Sequence, residues 1–276
     1  MLSFPLITDE KSYTNWDYNR AIGMKFKAIT LATLLFGACN NEAQPPVSTS
    51  PPFGGTIFLD PDIITVTDPT SFQTLTSNGQ GPRTMFDRRV DNWITADAYL
   101  FLVTYDDGLK MEVQVNPEFE SSALAEVEAE KYAIAIGRLP TSLRQDVQTV
   151  WIHKGVNLFG GGNNNILIHI GQADLYENDG ILEETLVHEA AHTSLDATHA
   201  NAPGWVDAQQ ADPAFISTYA QDNPTREDIA ETFLLYLAVK YRSDRISDSL
   251  KETITNTMPN RIKYLDNQTW NLHPIK

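Results

Sequence analysis

Residues 188–192 read His-Glu-Ala-Ala-His, three groups whose types and spacing suit metal-assisted hydrolysis. On a helix His188 and His192 fall about 40° apart, so both imidazoles can reach one ion from one rigid element. Glu189 then lies about 100° round, beside the ion rather than on it. A divalent metal polarises a carbonyl and activates a water, while a carboxylate at that place takes the water's proton and later passes it to a leaving amine. Chance places this pentad in roughly one chain in a hundred of this size, so the reading needs a completing group.

Glu227-Asp228-Ile229-Ala230-Glu231 supplies one. Glu227 and Glu231 are one helical turn apart, a like-charge pair that is unfavourable unless a cation compensates it. We expect Glu227 as the third ligand and Glu231 as the carboxylate that receives a ligand histidine's other N–H and fixes its tautomer. His199 is a rival third ligand. In the three-histidine pattern His-Glu-x-x-His-x-x-Gly-x-x-His, a glycine turns the chain back to the metal. Here Leu195 stands at the glycine position and Thr198 at the third histidine, with His199 one residue late.

Over residues 181–241 the chain resembles the zincin metallopeptidases, in the branch with a glutamate third ligand. The nearest flavour is the catalytic domain of anthrax lethal factor and its relatives, where a Tyr and a Glu-x-x-Ala-Glu-x-Phe helix follow the His-Glu-x-x-His. This chain has Tyr219, then Glu227 to Phe233 in that pattern. The resemblance implies Zn2+ as cofactor, a peptide or protein substrate, and Tyr219 as a hydrogen-bond donor to the oxyanion, against the plain alternative of a packed core tyrosine. It also implies an α+β fold, a small mixed sheet packed on the active-site helix with further C-terminal helices. The strand before that helix would be an edge that binds extended peptide, and Asn165 to Ile170 occupies the place. His169 would then border the cleft or serve as a structural histidine.

The elements that must position these groups are partly legible. Leu109 to Val115 alternates apolar and polar without a fault, which predicts a strand with one buried and one wet face. The run Ala98 to Tyr105 pairs with it through the turn Asp106-Asp107-Gly108. Short strands are expected at Thr56 to Leu59, Ile63 to Thr67, Thr149 to His153 and Asn165 to Ile170. An amphipathic helix over 121–136 carries Leu124, Val127, Lys131 and Ile134 at helical spacing and stops at Gly137. The glycine run 160–162 lacks the Gly-Lys-Ser/Thr ending of a phosphate loop and reads as a flexible connection. Asn178 or Asp179 is expected to cap the helix bearing the histidines, and Asn223-Pro224 to start the last strong helix, which runs to Tyr241.

The 276 residues, 42% hydrophobic, suffice for one large domain or two small ones. A formal charge of −16 argues against a nucleic-acid partner, because counterion release needs clustered Lys and Arg. The single cysteine, Cys39, excludes a disulfide framework. Met24-Lys25-Phe26-Lys27, the apolar run 28–36 and Gly37-Ala38-Cys39 resemble the lipobox of bacterial lipoproteins. That resemblance implies lipidation at Cys39 and attachment to a membrane of the cell envelope. We read 1–23 as a start-site extension, 24–38 as signal peptide, 39–52 as a Pro/Ser-rich tether and 53–276 as the metallopeptidase domain. The competing function is an envelope lipoprotein, binding or structural, whose metal site is vestigial or purely structural.

Overall fold

The alternation along 109–115 becomes a strand at the heart of one mixed sheet. The computed structural model describes residues 50–59 and 63–275. The segments 1–23 and 24–38, Cys39 and the tether as far as residue 49 lie outside the described residues. β1 (Phe72–Asp87), β2 (Asn92–Tyr105) and β3 (Lys110–Val115) are antiparallel neighbours. β4 (Thr149–His153) and β6 (Asn165–His169) then add in parallel, and β5 (Gly160–Gly162) closes the sheet antiparallel to β6, in the order β1-β2-β3-β4-β6-β5. Asp106-Asp107-Gly108 turns β2 into β3 as expected, with Gly108 at φ 86°.

The period of two sorts the sheet's faces. Phe101, Val103, Met111, Val113, Val150, Ile152, Ile166 and Ile168 are all buried in the main core. On this face lies α1 (Ser122–Ile136), begun by Ser121, whose hydroxyl accepts from the Leu124 N–H. Its inner face differs from the expected one. Ala125, Ala129, Tyr132 and Ala133 are buried, whereas Leu124 and Val127 are 56% and 63% exposed. Small side chains let the helix approach the sheet closely, and Tyr132 fills the remaining width. The opposite face is wet only in part: Lys110 is exposed and Glu112 half-buried. The end of the β1–β2 hairpin covers part of it, with Met85, Ala98 and Leu100 forming a small second core against Trp151, and Gln114 is buried there.

Further along come α2 (Thr141–Arg144), α3 (Ile170–Asn178) and α4 (Leu182–Ser194), and α4 carries both histidines. After them follow α5 (Pro203–Ala211), α6 (Thr218–Asp222), α7 (Asp228–Tyr241), α8 (Asp248–Thr257) and α9 (Pro259–Asp266). The molecule is thus α+β, as the sequence predicts. Several boundaries move. Asn178 ends α3 rather than capping α4, whose N-cap is Ile181. Residues 223–227 form turns, so α7 begins at Asp228 with Glu227 as its N-cap. Among the described residues no helix is long and apolar enough to cross a membrane.

Three expectations fail for one physical reason, namely where backbone hydrogen bonds go. Residues 56–59 and 63–67 are not strands, because carboxylates take their N–H groups: Ile57 N–H donates to Glu231 Oε2 at 3.2 Å, and Ile63 and Ile64 donate to Glu184. The glycine run is not a loose connection but the edge strand β5. Consequently Asn165 to Ile170 is not the edge, since β6 lies between β4 and β5.

Candidate metal centre

Helix α4 lies directly against the sheet's edge because β5 has no side chains. A Cβ at Gly161 would overlap the Glu189 carbonyl, so glycine is required for this approach. Thr193, one turn beyond Glu189, ties the two together: its hydroxyl accepts from Gly162 N–H at 2.8 Å and donates to the Asn165 carbonyl at 2.9 Å. The helix is anchored at its other end by the Glu184 carboxylate on the Ile63 and Ile64 amides. Both histidines therefore sit on a fixed rod.

The rod meets the start of α7. Asp228, the first residue of α7, and Asp212 both pair with Arg261 of α9, with all three side chains fully buried. This ion cluster sets the place of Glu227, the residue just before. His188 Nε2 and His192 Nε2 stand 3.1 Å apart, and Glu227 Oε2 lies 3.3 Å from the first and 3.0 Å from the second. The three side chains are buried and form the one group of three or more potential metal ligands found among the described residues.

The far nitrogens bear on what the near ones can hold. His192 Nδ1 is 3.0 Å from Asp196 Oδ2, and His188 Nδ1 faces Glu231 Oε1 at 3.5 Å. The Asp196 carboxylate accepts, so His192 Nδ1 carries its proton and its Nε2 in a neutral ring presents a lone pair; Glu231 Oε1, which has no hydrogen-bond partner among the described residues, stands where it could do the same for His188. Two lone pairs and a carboxylate oxygen about 3 Å apart repel unless a proton or a metal ion lies between them. Burial opposes charge on His192, yet its bonds to Asp196 and Glu227 outweigh that and push it up to about 10. Burial likewise opposes charge on His188, and Glu227 overcomes it there. Glu227 is held well below the usual carboxylate range, because hydrogen bonds from both imidazoles exceed the effect of burial. Burial pushes Glu231 up to about 7. The cluster is one that could hold a metal ion in place of those protons.

Glu189 is half-buried, next in chain to a ligand and within electrostatic reach of His188 and Tyr219. Tyr219 comes from α6, whose N-cap Ser217 accepts from the Ala220 N–H. Its hydroxyl is hydrogen-bonded to Glu227, and burial, then the Glu227 charge, raise its pKa so that it stays protonated. His199 stands apart from the group. It lies in a π-helical turn, Asp196–Ala200, with Nδ1 2.8 Å from the Tyr264 hydroxyl and its ring against Trp270. His169 does not border the cluster. It faces away from α4, fully buried, stacked on His153 and bonded through Nδ1 to the Lys154 carbonyl.

The fold thus brings His188, His192, Glu227, Glu231, Glu189 and Tyr219, all singled out in the sequence, to one place. The sequence reading missed Asp196, whose signal was available as the i, i+4 partner of His192. It also missed Ser217, Thr193 and the glycine strand, whose partners are distant in sequence. No known family, curated protein or solved structure matches the chain.

Proposed function

We propose that this chain is a zinc-dependent peptidase acting outside the cytoplasm, held to the envelope through lipid on Cys39. The observation that carries the metal is the convergence of two Nε2 atoms and one carboxylate oxygen at 3.0–3.3 Å, with both Nδ1 atoms turned to carboxylates. Ligand atoms on a tetrahedral zinc, with bonds of about 2.05 Å, stand about 3.3 Å from one another. Two imidazoles and a carboxylate are also a donor set that suits zinc, and three protein ligands leave a position for water or substrate. When bound there, zinc supplies Lewis acidity and a water acidic enough to be deprotonated near neutral pH.

The chain's own residues do the rest. Glu189 takes the proton of the attacking water and delivers it to the leaving nitrogen. Tyr219, protonated and at the cluster, donates to the oxygen on which charge develops. Apart from the Gly162 N–H, which Thr193 takes, β5 offers the outer side of an edge strand to an extended peptide, and its three glycines present backbone without side chains to obstruct it. A peptide laid there runs alongside Glu189, because α4 touches β5 at that residue.

Zinc content and digestion of a broad peptide library, measured on the wild type and on Glu189→Gln, test this. Both proteins should hold one zinc per chain, and only the wild type should cut, with at least a hundredfold loss in the variant. Zinc without cleavage in the wild type would favour a metal site that is structural or vestigial. Normal cleavage by Glu189→Gln would end the mechanism.

A further inference from the structure

The segment that precedes the sheet is fastened to the metal centre at several points. Phe53 forms a parallel bridge with Ser217, its carbonyl accepts from Thr218 N–H at 3.0 Å, and Gly55 N–H donates to the Thr218 hydroxyl at 2.8 Å. Ile57 N–H donates to Glu231 Oε2, which also receives the Ser217 hydroxyl at 2.9 Å. The other oxygen of Glu231 is the one aimed at His188 Nδ1. Ile63 and Ile64 then bond Glu184, one turn before His188 on α4. Ser217 and Glu231 are both almost wholly buried.

We propose that this strap, residues 53–59 together with Ile63 and Ile64, is a working part of the metal centre: the Ile57 amide and the Ser217 hydroxyl hold Glu231 in the position from which it orients His188, so metal retention depends on the strap being docked. The proposal rests on the metal reading above. Glu231 lies in a buried site where its charge is costly, and two fixed donors on one oxygen leave the other directed at the imidazole. Without them the carboxylate loses its orientation, and His188 loses the group that keeps its proton on Nδ1. Both positions touch neither metal nor substrate; Ile57 acts through Glu231 alone, whereas Ser217 also caps α6, so the Ile57 ester is the decisive variant. The strap's docking reaches the metal centre through the bond from Ile57 N–H to Glu231, so undocking acts on His188 by way of that carboxylate.

The test is the zinc dissociation constant, measured by chelator competition on the full chain. One variant replaces the Thr56–Ile57 peptide bond by an ester, using the α-hydroxy analogue of isoleucine, which removes the N–H and keeps the side chain. Ser217→Ala removes the second donor, and Ser217→Thr restores a hydroxyl. Ser121→Ala, which removes the cap of α1 far from the site, controls for lost stability alone. We expect about tenfold weaker zinc in the ester and in Ser217→Ala, recovery in Ser217→Thr, and no change in Ser121→Ala. Cobalt substituted for zinc should show an altered visible spectrum in the first two. Wild-type affinity in a folded ester variant overturns the strap's role, even if Ser217→Ala fails to fold. A wild-type chain that binds no zinc overturns the metal reading and this inference with it.

Discussion

Each imidazole at this centre is defined by two carboxylates, one on either side of the ring. Glu227 meets both Nε2 atoms, while Asp196 and Glu231 take the Nδ1 sides. That division makes separable predictions for single substitutions. Asp196→Ala should weaken zinc by tenfold to a hundredfold while leaving its stoichiometry at saturating metal unchanged. His199→Ala should leave zinc affinity within a factor of two, since its partners are Tyr264 and Trp270. Equilibrium dialysis of the two variants separates the cases, and a loss of zinc in His199→Ala would reverse the ligand assignment. The sequence made most of these residues legible because the two histidines share a helix and the two glutamates lie one turn apart. It left the third ligand open between Glu227 and His199, because a ligand from another element is chosen by packing, and sequence distance says nothing of it.

Two elements decide whether that residue chemistry has a place to act. The first is β5. A methyl group at Gly161 cannot be accommodated against the Glu189 carbonyl, which belongs to backbone and cannot swing aside. Gly161→Ala should therefore cost about 1–3 kcal/mol, from urea midpoints, and lower peptide cleavage more than it lowers zinc affinity. Equal stability to wild type would mean that α4 and β5 do not pack as described. The second is the hairpin end over the outer face, pinned by a polar network. Asp87 binds Arg89, Arg89 binds Glu118, and the stacked His153 and His169 lie beneath. Burial, then the neighbouring His169, depresses His153 to about 4, and burial depresses His169 too. In the unfolded chain an imidazole titrates near about 6.5, so the unfolded state binds more protons between these values. The neutral pair's contribution is then complete above about pH 6.5 and falls as pH drops towards 4. Replacing His153 with Gln should flatten the fall in urea midpoint across that window. An unchanged slope would remove His153 as its source.

The described part of the molecule joins the N-terminal strap, the sheet edge, α4 and α7 at one buried cluster, so a metal bound there would be linked to the fold. A cation that binds only the folded state stabilises it by about 4 kcal/mol when free metal is a thousandfold above its dissociation constant. For a chain of this size that is roughly ten degrees in melting temperature, which EDTA should remove and zinc restore. A melting curve indifferent to both would contradict a metal bound between α4 and α7. At this scale the sequence by itself determined the class of fold and most of the side chains that gather at the cluster. Types and periods of neighbouring residues are local quantities, and a pentad on a helix or an alternating strand states its geometry within one element. Tertiary structure alone decided what lies across the gaps. Glu227 was set beside the imidazoles by a buried Arg261 cluster, and residues 56–59 became a strap on Glu231 rather than a strand. The glycine run became the sheet's edge because α4 needed backbone, not side chains, to lie against. These are matters of which buried donor finds which acceptor, and that pairing exists only once the chain has closed on itself.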